Sequence, residues 1–218
     1  TIRSLKKSWF GLQVLEGNKM KKIDIKTLLA TSSIFLLIAV LTICYYKALP
    51  DTVVAHFGVN GEPNGSMAKY MMILTPLLFF CVHLFICVLY DVKGIGRIPV
   101  IRVVKWLFPL LALIIQVSLL WYNLGGELEY RRLVIGLLAI GYMVIGNYLP
   151  KEELDSKTNE IERKGRKQAG YLFIIGGLLL LVSLIGSPSL SILVLILFGI
   201  SVITLSLYYF YRRYKTAS

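Results

Sequence analysis

Residues 27–46 read TLLATSSIFLLIAVLTICYY, residues 49–70 read LPDTVVAHFGVNGEPNGSMAKY, and residues 71–90 read MMILTPLLFFCVHLFICVLY. Two apolar runs, each about the 20 residues that cross a bilayer core, bracket a polar, turn-rich segment. Such a pattern is a membrane hairpin of helices with a structured connection. Within the connection, Thr52-Val53-Val54-Ala55-His56-Phe57 is β-branched and aromatic enough to predict a short strand. Asn60-Gly61 and Pro63-Asn64-Gly65 predict two turns, since Asn and Gly tolerate positive φ and Pro pre-sets a turn's first corner. The segment is expected to fold as a compact hairpin-like cap.

Composition extends this reading to the whole chain. Its 218 residues are 56% hydrophobic and 17% charged, with a mean hydropathy of +0.71, which is too apolar for a soluble domain of this size. Six apolar runs lie near 27–46, 70–90, 104–122, 132–149, 169–186 and 190–210. The expected fold class is an all-α integral membrane protein with six transmembrane helices. The net charge of +12 does not point to nucleic acid, because the basic residues flank apolar runs and form no stripe on a soluble surface.

Lys and Arg placement orients the spans. With the N-terminus inside, twenty basic residues fall on inner segments, Lys93, Arg97, Arg102 and Lys105 among them. Four (Lys47, Lys69, Arg131 and Arg132) fall on outer ones. This asymmetry predicts cytoplasmic termini and an extracellular cap at 49–69. The domain plan is a basic cytoplasmic N-terminus at 1–26, a six-helix membrane domain at 27–210 with a cytoplasmic loop at 150–168, and a basic tail at 211–218. The acids and bases mixed through that loop predict a solvated helical extension. The Ser187-Pro188-Ser189 link is short enough to make the last two helices an antiparallel hairpin.

Met20-Lys21-Lys22 resembles a translation start, and Leu15 to Lys19 can be encoded by a purine-rich ribosome-binding site. On that reading residues 1–19 are not natural coding sequence. The competing reading is an interfacial helix carrying Ile2, Leu5, Trp9 and Leu12 beside Arg3, Lys6 and Lys7. A three-plus-three division of the spans would place Leu49-Pro50 and Leu149-Pro150 at equivalent ends, as in inverted repeats. A two-residue match is too short to establish a repeat.

Cys44, Cys81 and Cys87 all sit inside apolar runs without metal-type spacing and are expected to be free, buried thiols. His56 lies near Asp51 and Glu62 in sequence, but one histidine with two optional carboxylates is a poor metal set. No metal or other cofactor is expected. His83 and Gln116 lie deep in the second and third runs, where polar groups are functional candidates by default. Hydrogen bonding between helices is the preferred reading of both. Pro76 and Pro109 fall inside spans and are expected to kink them. HExxH, GxSxG, a P-loop and a pair of intramembrane acids are all absent, so no enzyme is expected. The shortage of acids in the spans also counts against an ion-coupled carrier.

Leu49, Pro50, Asp51, His56, Phe57, Asn60, Gly61, Glu62, Pro63, Asn64, Gly65 and Lys69 together resemble the signature of a bacterial membrane domain of unknown function. That domain commonly forms the N-terminal part of SdpI-like immunity proteins. Gly146-Asn147-Tyr148-Leu149-Pro150-Lys151 resembles a second element of that family. The resemblance implies a bacterial plasma-membrane protein that protects its producer from a secreted antimicrobial peptide, with a cytoplasmic regulator as another partner. Transport of a small solute or ion, or membrane signalling by sequestering a regulator, are the alternatives. Two departures stand out. Val54-Ala55 replaces the proline expected before the histidine. KEELDSKTNEIERKGRKQ stands where full relatives carry a GIRTPWTL-like element, which weakens the signalling role here in particular.

The topology is testable directly. In a cysteine-free background, Ser66→Cys should react with an impermeant thiol reagent in intact cells and Ser156→Cys should not. The reverse labelling would invert the whole orientation.

Overall fold

The computed structural model describes residues 23–96, 98–151 and 160–217. The readings of residues 1–19 as a leader or an interfacial helix lie outside these residues. So do Arg97 and the acidic stretch 152–159.

Among the described residues, six helices are long and apolar enough to cross a membrane. They are α1 (Ile25–Tyr45), α2 (Met71–Val92), α3 (Pro99–Asn123), α4 (Tyr130–Tyr148), α5 (Glu160–Ser183) and α6 (Pro188–Ala217). Between α1 and α2 stand two antiparallel strands, β1 (Thr52–Phe57) and β2 (Pro63–Ala68). Short 3-10 turns at Tyr46–Ala48 and Leu149–Lys151 follow α1 and α4.

Several boundaries differ from the sequence reading. Proline at the first position starts α3 at Pro99, five residues before the apolar run, because the missing N–H is one that a helix leaves unpaired anyway. The polar residues of α5 from Glu160 onward are helical, as the loop's charge pattern suggested. Residues 211–217, read as a tail, continue α6. The second expected turn is absent: Pro63-Asn64-Gly65 opens β2 instead. Proline is compatible with the first residue of an edge strand, and the single turn Gly58 to Glu62 already reverses the chain. There the Gly61 N–H donates to Gly58 O, and Gly61 alone takes positive φ, at 87°.

Packing divides the helices into two groups of three. In the first, α1, α2 and α3 all touch one another, and Phe35, Ile38 and Ala112 form a core with Phe80 and Phe108. In the second, α4 packs on α5 and α5 on α6, around Ile135, Ala139 and Leu180. Contacts between α3 and α4 join the groups. The α5–α6 pair is antiparallel, with Ser183 against Ser191 at one end and Glu162 against Arg213 at the other.

The second resembling element has a packing role. A Cβ on Gly146 would come within 2.7 Å of Gly170 O, and one on Gly170 within 2.7 Å of Gly146 O and 2.8 Å of Pro150 Cγ. Two glycines thus let α4 and α5 touch backbone to backbone, as small residues do in membranes generally. Pro150 seats the turn that follows α4 on the same spot. Lys151 lies over the Tyr148 ring, and Asn147 is exposed. Cys44 and Cys81, expected to be buried, are exposed on the bundle surface, and only Cys87 is enclosed. An apolar run surrounded by lipid has no need to turn its small residues inward.

Gly170→Val should force α4 and α5 apart at a cost of about 1–3 kcal/mol, seen as a lower midpoint in thermal unfolding of detergent-solubilised protein. Gly199→Ala, where the added carbon meets nothing within 4 Å, should leave the midpoint unchanged or slightly raised. Equal effects would remove the close-contact explanation.

Candidate functional site

The hairpin is fixed to the bundle by residues from α3 and α4. Leu49 and Val53 are buried with Met72 and Leu120, and Leu41, Met67 and Leu119 complete that cluster. The Asn123 side chain, at the end of α3, clasps Val54 at two points. Its Oδ1 accepts from the Val54 N–H at 2.7 Å and its Nδ2 donates to Val54 O at 2.9 Å. Phe57 stacks on Tyr130 with centroids 3.6 Å apart and meets Tyr122 edge-on. Gly61 lies against the Arg131 backbone, where a Cβ would meet Arg131 atoms at 3.2 Å. The Arg131 guanidinium donates to Gly186 O in the α5–α6 turn. One hairpin therefore reaches α3 and α4 directly and the last turn through Arg131.

What remains outward is mostly polar, with Val59 exposed at the turn. His56, Asn60, Glu62, Pro63 and Asn64 are exposed. The structure does not bring His56 to Asp51 or Glu62. Its Nδ1 faces Asn64 Oδ1 at 2.5 Å, while Glu62 accepts from Asn60 Nδ2 and Asp51 pairs with Lys69 at 2.6 Å. Strand geometry is the cause, since side chains of one strand alternate between faces and a cross-strand neighbour is nearer than a sequence neighbour. The hydrogen bond from Lys69 holds the Asp51 carboxyl below the usual carboxylate range, and the same bond raises Lys69. The Lys69 ammonium also lies 5.6 Å from the Tyr46 ring centre. Gly65 stands opposite His56, where a Cβ would meet His56 Cβ closely, at 3.0 Å. Among the described residues no group of three or more His, Cys, Asp or Glu could hold a metal ion.

Below the hairpin a polar seam runs between α1, α2 and α3. Gln116 Nε2 donates to Thr42 Oγ1 and to Met72 O, each at 3.0 Å. His83 Nε2 lies 2.9 Å from Thr31 Oγ1. The Thr31 hydroxyl also lies within hydrogen-bond distance of Thr27 O at 2.8 Å. Both candidates thus bond between helices. The aromatic layer of Phe35, Phe80 and Phe108 touches His83 and adjoins Ile38, whose carbonyl accepts from Thr42. Pro76 and Pro109 lie inside α2 and α3 and are buried.

At the opposite end of the bundle is a feature that the sequence reading missed. Lys105, counted there as a loop charge, is buried within α3 and donates to Asp91 Oδ1 at 2.6 Å. The pair's side chains are 2% and 4% exposed. Asp91 Oδ2 accepts from the Asp24 N–H, and Asp24 in turn caps α1 by accepting from the Thr27 N–H. Gly96 is required beside this pair, because the Asp91 carboxylate occupies the space of a Cβ. Spacing held the missing signal: Lys105, Pro109, Ala112, Gln116 and Leu120 recur at helical intervals and are the buried stripe of α3.

The fold and these sites define a multipass, membrane-type helical protein. Residues 33–80, spanning most of α1, the hairpin and the first half of α2, match the family described as a domain of unknown function, DUF1648. No curated protein and no solved structure matches the chain.

Lys105→Met should leave the Asp91 carboxylate buried without its partner and cost about 3–5 kcal/mol. Lys105→Met combined with Asp91→Leu should recover most of that loss. Thermal unfolding of the solubilised protein reads both, and a harmless single substitution would show that water reaches the pair.

Proposed function

We propose that the chain is an immunity-type protein of the bacterial plasma membrane, protecting the cell from a secreted antimicrobial peptide through the hairpin. In this reading the hairpin faces outward, both termini are cytoplasmic, and no catalysis or cofactor is involved. One observation carries the reading: a hairpin anchored by buried contacts presents His56, Asn60, Glu62 and Asn64 to solvent. A rigid support with exposed polar groups suits recognition, because little order has to be gained on binding. The resemblance of residues 49–69 to the SdpI-like signature supplies the partner class. The family match over 33–80 includes the hairpin, and the distribution of Lys and Arg supports the orientation.

Two other readings have less support. Transport would draw on the seam, yet His83 and Gln116 are engaged with Thr31, Thr42 and Met72. Capture of a cytoplasmic regulator would draw on the loop after Pro150, whose sequence departs from the signalling relatives.

The test is survival of sensitive cells that express each variant at matched membrane abundance, challenged with conditioned medium of the bacterium that encodes the chain. His56→Ala removes an exposed polar contact. Gly61→Val blocks the positive φ and crowds Arg131. Each should lower the tolerated dose by about tenfold or more, equivalent to about 1.4 kcal/mol of binding. His83→Ala and Gln116→Ala should lower stability and, at matched abundance, leave protection intact. Full protection by the hairpin variants with failure of the seam variants would transfer the function to an intramembrane pathway.

A further inference from the structure

The two edges of the small sheet are treated differently. Thr52 faces Ala68, Val53 faces Met67 and Val54 faces Ser66, and the Lys69 N–H donates to Asp51 O at 3.0 Å. Antiparallel ladders alternate hydrogen-bonded and non-hydrogen-bonded pairs. Asp51/Lys69 and Val53/Met67 therefore bond inward. Thr52, Val54, Ser66 and Ala68 turn their N–H and C=O groups away from the partner strand. On β1 the Asn123 amide takes both outward groups of Val54, the more central of the two outward residues. On β2 the corresponding groups of Ser66 and Ala68 have no protein partner among the described residues, and Ser66 is exposed.

We propose that the β2 edge is the docking site for an extended peptide segment, which adds to the sheet as a third strand. The proposal rests on the reading of the hairpin as a peptide-binding cap and specifies how that cap binds. Outward N–H and C=O groups at strand spacing are matched by another extended backbone, the basis of recognition by strand addition. The opposite edge already shows this demand met, with an amide side chain standing in for a peptide unit. The open stretch is short. Pro63, which has no donor, and the register irregularity beside Asn64 bound it at one end, and α2 starts at Met71 beyond the other. Three residues span about 10 Å. An edge about 10 Å long and about 5 Å wide suits a peptide segment and is far smaller than the roughly 800 Å² per partner that a stable contact between two copies buries. Main-chain bonds supply the attachment, and the exposed side chains of His56, Asn60, Glu62 and Asn64 at the turn end then discriminate among sequences.

Ser66→Pro separates backbone from side-chain recognition, because it deletes an N–H that the β1–β2 ladder does not use and proline is tolerated on edge strands. Ser66→Ala deletes the hydroxyl and keeps the N–H. In the survival assay with conditioned medium, Ser66→Ala should protect like the parent chain and Ser66→Pro should lose about tenfold or more in tolerated dose at equal abundance. An independent measurement on the unaltered full chain in detergent is amide hydrogen exchange, with the peptide fraction of that medium as probe. Exchange at Ser66 and Ala68 should slow by about tenfold or more. Full protection by Ser66→Pro, or unslowed amides, overturns strand addition; if His56→Ala still fails, the cap reading survives without it. Absence of protection by the parent chain removes both. Disulfide-linked dimers of Ser66→Cys, formed in native membranes in a background lacking the three natural cysteines, would assign the edge to a second copy and also overturn the peptide.

Discussion

A polar group inside a lipid bilayer must find its partner within the protein, and along α3 this constraint organises half of the molecule. Lys105, Gln116 and Asn123 lie on one side of the helix. Lys105 holds Asp91 at the end of α2, Gln116 bridges Thr42 of α1 and the Met72 carbonyl of α2, and Asn123 holds Val54 of the hairpin. Apolar side chains between lipid-facing helices bring little driving force of their own, because lipid tails are as apolar as leucine. The polar stations therefore supply direction and register, and Pro109, Ala112 and Leu120 between them complete the buried stripe. Removing one station leaves its partner unsatisfied, which costs more than the bond itself contributes.

The second group of helices solves the same problem by shape. Gly146 and Gly170 bring α4 and α5 into backbone contact, and Gly177 approaches the Ala139 carbonyl. Tyr142, Phe173 and Phe198 then interlock across α4, α5 and α6. Close backbone approach maximises dispersion contacts where hydrophobic driving force is lacking. The hairpin depends on both solutions, since Asn123 belongs to the first group and Tyr130 and Arg131 begin the second. This shared support lets a two-stranded sheet, marginal by itself in water, stand as a defined surface.

Much of this was legible from residues 27–90. The alternation of long apolar runs with a polar turn-rich segment is a local property, and hydrocarbon thickness converts it into spans without reference to partners. Strand β1 was readable at its observed limits because β-branched and aromatic residues fill it, and the positive φ at Gly61 follows from an Asn-Gly pair in a tight reversal. His83 and Gln116 stood out by being polar at depth. Lys105 did not, because a basic residue near the end of an apolar run reads equally as a loop charge.

Sequence by itself therefore determined the number of membrane-length helices, the place of the hairpin between the first two, and the residues whose burial would demand a partner. Only the tertiary structure decided which partners they take: Asp91 for Lys105, Val54 for Asn123, Tyr130 for Phe57, and Asn64 instead of a carboxylate for His56. It also decided that Asn123 covers the β1 edge at Val54 while Ser66 on β2 stays exposed. The physical reason is range. Apolar length and turn propensity act within a few residues of chain, whereas each of these pairs joins positions that meet only after helices or strands have packed.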